Sequence, residues 1–177
     1  MTNQYALHAI RQRISYNLLF PPICRLIMKI IALSIVIIAV LFSTLLIFQN
    51  IKPPKHLGHK KGHLAEMPDK PNAVSSQTDI AQKRVEPLPY KANTEETMRA
   101  VIATLNTMGS NEVQVVESHY IYSVFTSAIL HFHDDVELLL NEETQEVHFR
   151  SQSRAGRSDM GINRKRYEQF NALYTQY

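Results

Sequence analysis

Nineteen consecutive residues, Ile30 to Phe48, carry no charged side chain, and only Ser34, Ser43 and Thr44 interrupt the hydrocarbon. Wound as a helix at about 1.5 Å per residue, the run reaches about 28 Å, close to the ~30 Å hydrocarbon core of a bilayer. No face of it is polar, so it does not read as the buried helix of a globular core. A cleaved signal peptide is the nearer rival. Its apolar region is usually about 7–15 residues long and ends in a small-x-small site. This run is longer, ends Leu-Leu-Ile-Phe-Gln-Asn, and no cysteine follows it to carry a lipid. The reading is an uncleaved, single-pass anchor that meets membrane lipid through residues 30–48.

Residues 1–29 hold Arg11, Arg13, Arg25 and Lys29 and no acid, and Pro21-Pro22 stops a helix from running through them. Met28-Lys29 directly before the apolar run also resembles a bacterial start, so Met1 and Met28 both remain candidate starts. Lys52, Lys55, Lys60 and Lys61 follow the span, and the positive-inside rule comes close to a tie. An N-terminal anchor ahead of a long domain usually exports it. The expectation is therefore a cell inner-membrane protein with residues 1–29 cytoplasmic and the C-terminal domain periplasmic.

Six of the eight prolines (53, 54, 68, 71, 87 and 89) fall between residues 49 and 92, which read as an extended linker. His56, His59 and His63 have a spacing that suits a metal, but a flexible tether does not hold ligands in place. The plainer reading is a solvated basic tether beside lipid headgroups. The formal charge of +3 is too small to imply nucleic acid, and no nucleic-acid motif is visible. Cys24 is the lone cysteine, so the following domain has no disulfide.

Beyond the linker the pattern becomes that of a folded domain. Asn93 can cap a helix, with Glu96 in the capping-box position. Met98, Val101, Ile102 and Leu105 give that helix a core stripe, and Gly109 can end it. Four strand-like runs follow, at 112–117, 119–126, 129–140 and 145–152, with short connections. A last helix covers about 161–174. Helix, four strands and helix predict an α+β domain, a four-stranded antiparallel sheet packed with two helices behind the transmembrane helix.

Residues 129–166 hold most of the unusual polar side chains. Pairing Leu140 with Gln145 leaves a loop of residues 141–144 and sets Asp135 opposite Arg150 and Glu137 opposite His148. Asp134 then falls on the apolar face and needs a partner. Ile162, Phe170 and Leu173 define the stripe of the last helix, with Arg166 on it, so an Asp134–Arg166 pair is predicted beneath that helix. His131, His133 and Asp135 alternate along one strand, but span about 13 Å at ~3.4 Å per residue, too far for one ion. No metal and no cofactor is implied. The loop from Ser151 to Gly161 resembles an anion cradle, with glycines, hydroxyls, arginines and a following helix N-terminus. Its candidate ligand residues are Arg150, Arg154, Arg157, Asp159 and Arg164.

Asp134-Asp-Val-Glu137, Phe149-Arg-Ser-x-Ser-Arg154 and Gly156-x-x-Asp-x-Gly-x-Asn-Arg-Lys-Arg166 together resemble the bacterial and plant family catalogued as domain of unknown function 1499. Lys70-Pro-Asn-Ala-Val-Ser-Ser-Gln77 resembles its upstream motif, although family members usually carry a cysteine where Ala73 stands. The resemblance covers roughly residues 68–174. It implies a membrane-attached or exported domain and supplies no activity. It also draws residues 68–80 onto the domain, leaving 49–67 as tether and 68–177 as the exported domain. Two functional readings stay open. One is a non-catalytic extracytoplasmic domain that binds an anionic ligand, lipid headgroup or envelope protein partner through the arginine loop. The other is a hydrolase or transferase that uses Asp134 or Asp135 as acid–base and Arg154 or Arg164 to hold an anionic substrate.

Overall fold

A computed structural model describes residues 21–177. Most of the segment assigned to residues 1–29, with Arg11 and Arg13, lies outside the described residues. The chain divides into two units at Leu45. The apolar run is helical, and most of it belongs to the first unit. Helix α1 spans Pro22–Ile51 with no buried residue, and it is long and apolar enough to cross a membrane. Proline suits its first position, where the missing N–H would have had no helical acceptor. Thr44 Oγ1 returns a hydrogen bond to Val40 O, which satisfies the hydroxyl inside the helix.

The second unit begins at Leu46 and is an antiparallel sheet with helices on one face. Its elements are β1 (His59–Lys60), β2 (His63–Leu64), β3 (Ala73–Ser75), β4 (Leu88–Pro89), α2 (Thr94–Met108), β5 (Asn111–Val116), β6 (Tyr120–Thr126), β7 (His133–Asn141), β8 (Glu146–Ser153) and α3 (Ile162–Tyr174). The main sheet runs β3-β8-β7-β6-β5, and β4 also pairs with β8. It therefore has six strands where the sequence pattern predicts four. β3 and β4 lie end to end along the outer edge of β8, at Arg150–Gln152 and at Glu146–Val147. Strands of two or three residues, one containing Pro89, carry no alternation to read, and an edge is where a strand tolerates proline. The proline-rich segment is thus partly sheet.

α2 forms as its sequence dictates. The Asn93 side chain accepts the Glu96 N–H, and Val101 and Leu105 are fully buried. On α3 the buried stripe is Asn163, Tyr167, Phe170 and Tyr174, and Ile162 is half exposed. The stripe expected from Ile162, Phe170 and Leu173 is rotated, because Tyr167 and Tyr174 bury their rings and send their hydroxyls to Glu86 O and Pro89 O. Both helices cover the face of the sheet carrying Ile121, Val136, Leu138, Val147 and Phe149.

The β7–β8 register differs from the one predicted. Glu137 lies opposite Arg150, Asp135 opposite Gln152 and Leu139 opposite His148. Asn141 and Glu146 close the hairpin, and Asn141 Oδ1 accepts the N–H groups of Glu143 and Thr144. Gln145 takes the left-handed conformation that lets the turn close. The change moves each strand by one residue in opposite directions, so every side chain keeps its face and only the partners change. β7 also starts at His133, not Ile129. His131 sits in the preceding turn with φ 50°, so the three-residue alternation His131, His133, Asp135 does not exist along the strand.

Candidate functional site

The face of the sheet turned away from the helices carries charge. Its side chains come from alternate positions of β6, β7 and β8: Tyr120 and Tyr122, Asp135, Glu137 and Leu139, then His148, Arg150 and Gln152. Glu137, Asp135 and Arg150 are buried to 0%, 0% and 2% relative exposure. Charges this deep persist only when paired. Arg150 Nη1 donates to Glu137 Oε2 at 2.5 Å, and Nη2 donates to Gln152. Glu137 Oε1 accepts from the Tyr120 hydroxyl at 2.8 Å and from the Gly58 N–H at 2.7 Å. One layer along, Arg154 grips Asp135 through Nε and Nη2, and the Tyr122 hydroxyl donates to the same carboxylate.

Electrostatics follow from this packing. Burial pushes the Tyr120 phenol up, and neighbouring Glu137 adds to the rise. Tyr122 is raised by burial and by its bond to Asp135. Both phenols therefore stay protonated and act as donors. Burial alone would lower Arg154, but Asp135 and Tyr122 more than offset it, so the guanidinium holds its proton more firmly than usual. Burial lowers His148, with Glu146 acting against it and His63 with it.

The β1–β2 hairpin covers part of this face. Leu64 is buried against Tyr120, Tyr122 and Leu139, and the His59 ring lies 5.4 Å from that of Tyr120. Gln77 holds the hairpin at two points, accepting from Leu64 N and donating to Gly62 O. Between the hairpin segment and the sheet lies an open cavity of about 760 Å³, whose lining includes Lys55, His56, His59, Lys60, His63 and Arg150, with Glu66 as its one acid. Arg150 Nε is buried with no hydrogen-bond partner among the described residues. An unpaired buried donor beside a basic cavity is a place for an acceptor.

The residues of the arginine loop are distributed rather than gathered. Arg150 and Arg154 belong to the charged layer just described. Asp159 caps α3, with Oδ2 accepting from Asn163 N and Oδ1 from Gly161 N, so the helix N-terminus is met by the chain's own carboxylate. Arg164 donates to Gln82 O and Arg84 O, stitching that turn to α3. Arg157 is exposed. On the helix face, Arg166 Nη2 donates to Asp134 Oδ2 at 2.5 Å, Nη1 reaches Asn163 and Ser151, and the guanidinium lies 4.8 Å over the Phe125 ring. Asp135 pairs with Arg154 and not with Arg150, because the hairpin register is the one set by Asn141.

Two features of the charged face were missed at the sequence level. Glu137 is the true partner of Arg150, and Tyr120 and Tyr122 point at the carboxylates. The signal was present in part, since Tyr-x-Tyr on one strand and Asp-x-Glu on its neighbour share a period of two. A second cleft, of about 1040 Å³, is bordered by Ser76, Arg84, His119, Glu146 and His148. There Ser76 Oγ lies 3.4 Å from His148 Nδ1, but that oxygen also accepts the Phe149 N–H at 2.9 Å and donates to Phe149 O. It is held by the strand backbone and not poised as a nucleophile. Among the described residues no group of three or more His, Cys, Asp or Glu is arranged to hold a metal. His133 Nδ1 instead meets Thr126 Oγ1 at 3.0 Å.

Residues 63–173 match the model of a family described as "Protein of unknown function (DUF1499)". That span runs from β2 into α3 and includes every residue of the charged layer. No curated protein and no solved structure matches the chain.

Proposed function

The chain belongs to that family, and from this premise we propose that it is a single-pass, membrane-anchored, non-catalytic module that binds an anionic group on the periplasmic side of the inner membrane. The observation that carries the reading is the basic cavity beside Arg150. Its lining sets Lys55, Lys60 and three histidines against Glu66, and one buried guanidinium N–H there has no acceptor among the described residues. The residues that would make an enzyme are otherwise engaged. Asp134, Asp135 and Glu137 each face an arginine, and Ser76 serves a strand. An acid–base carboxylate must reach its substrate, and these three spend their oxygens on guanidinium groups inside the fold.

Anion binding falls to the hairpin face more than to the arginine loop, where only Arg157 is uncommitted. Lys55 and Lys60 follow the apolar run closely in sequence, which supports a lipid headgroup phosphate as the occupant. Thermal shift of the full chain in micelles, with inorganic phosphate or glycerol phosphate, tests the reading. Stabilisation that disappears in Lys55→Glu/Lys60→Glu supports it, and no stabilisation by either anion overturns it. Protease added to spheroplasts tests the orientation, since a periplasmic domain is digested and a shielded one reverses the assignment.

A further inference from the structure

We infer that the loops at one end of the sheet, residues 127–132 and 155–162, dock into the interface of the same bilayer that the chain is anchored in, with Ile129, Leu130 and Met160 as the inserted side chains. The inference rests on the anchor reading above and adds a lipid surface as the partner of this edge. β7 and β8 end together there, since Asp134 opposite Ser153 is their last pair and Arg154 N donates to His133 O. The two loops that continue from this point are adjacent, and Ala128 and Ile162 border one small cavity.

These loops expose large apolar groups that the fold does not use. Ile129 is 88% exposed, Leu130 67% and Met160 89%. Scattered apolar residues on a surface are ordinary, but three nearly bare ones on adjacent loops ask for a cover. Residues 127–132 contain no acid. In the second loop the one acid, Asp159, is spent on capping α3, while Arg157 is free to meet a headgroup phosphate.

Chain connectivity says what covers them. Asn50 lies in the same unit as these loops and two residues beyond Phe48, the last residue of the uncharged run. Its Oδ1 accepts the His133 N–H at 2.7 Å, and its Nδ2 donates to His131 O at 2.8 Å. That second bond anchors the residue whose left-handed φ turns the loop. Two helical residues rise about 3 Å, and the headgroup layer on each side of a bilayer is about 5–7 Å thick. A loop bonded to Asn50 therefore sits at the headgroup layer once residues 30–48 are in the membrane. Apolar side chains at that depth partition toward the acyl boundary, as in interfacial membrane proteins.

The test uses the full chain with Cys24→Ser, reconstituted in phosphatidylethanolamine–phosphatidylglycerol vesicles. Leu130→Cys, Met160→Cys and, at the opposite end of the sheet, Glu143→Cys are each labelled with an environment-sensitive fluorophore. Lipids spin-labelled near the headgroup are expected to quench most emission at positions 130 and 160 and little at 143. Adding Ile129→Asp and Leu130→Asp to the Met160→Cys chain should abolish quenching at 160. Equal quenching at all three positions overturns the inference. So does a blue-shifted, unquenched signal at 130 and 160, which would mean that protein, such as a second copy, covers the edge. Alkaline carbonate separates the two readings. A chain that washes off the vesicles overturns the anchor and this inference with it, whereas one that stays without quenching overturns this inference alone.

Discussion

On the helix side of the sheet, Phe149, Phe170 and Tyr174 pack ring against ring at centroid distances of 5.6 and 5.9 Å. On the opposite side, two layers away from α2 and α3, the buried groups are Glu137 with Arg150 and Asp135 with Arg154. Apolar packing is non-directional, so the first face is closed by volume and shape. The second is closed only if every charge keeps its partner, because an ion pair in low dielectric stabilises little on its own and one half alone is costly. The covers differ in the same way. Two long helices seal the first face, and a hairpin of two-residue strands, held by Leu64 and Gln77, lies over part of the second. Local opening is expected to cost less on the lightly covered side, where the proposed anion site lies.

The largest effects should come from one substitution on each face. Glu137→Ala leaves Arg150 buried and unpaired, and is expected to cost about 3–5 kcal/mol. Phe170→Ala should cost a similar amount, about 3–5 kcal/mol, by cavity formation. Thermal unfolding of the full chain in micelles measures both. The comparison is broken or upheld by the repair. Glu137→Leu with Arg150→Met should recover most of the loss, since apolar isosteres replace buried pairs at little cost. If the double substitution stays as unstable as Glu137→Ala, the charged face is not an exchangeable ion-pair layer. Asp134→Ala tests an intermediate case. Arg166 keeps Ser151 and Asn163 as acceptors and is 11% exposed, so the expected loss is smaller, about 1–3 kcal/mol. A loss equal to that of Glu137→Ala would make the two faces equivalent in their dependence on charge.

The helix face was more legible from sequence than the charged one. α2 could be read from Asn93, Glu96 and a stripe with helical spacing, because capping and amphipathicity are local. The order of β5 to β8 could be read from period-two runs and short turns. The charged face depends on register, and register depends on turn chemistry at Asn141 that alternation does not report. Moving each strand by one residue preserved the burial pattern and exchanged the partner of Arg150 from Asp135 to Glu137. Asp134 and Arg166 were recognisable as neighbours because each stood out on an apolar stripe. β3 and β4 were illegible for a different reason: an edge strand of two or three residues draws its pairing from β8 and not from its own sequence. The basic cavity was half visible. Lys55, His56, His59 and Lys60 read as a tether, and nothing local shows that Leu64 pins them over a sheet.

The smallest effect separates the faces by pH. His148 lies on the charged side, and its pKa is lowered by burial, with His63 adding to the shift and Glu146 opposing it. A folded value below the ordinary one of about 6.5 means that the unfolded chain binds the proton first as pH falls. The stability this group contributes is therefore complete above pH of about 6.5 and is lost as pH falls toward the folded value. Unfolding temperature should decline from pH 7 to 5, and His148→Gln should flatten part of that decline while leaving the slope above pH 7 unchanged. Phe170→Ala, on the helix side, should shift the whole profile down without altering its shape. If Phe170→Ala changes the acid slope as much as His148→Gln does, proton uptake is not confined to the hairpin side, and the two faces are coupled more tightly than their separate covers suggest.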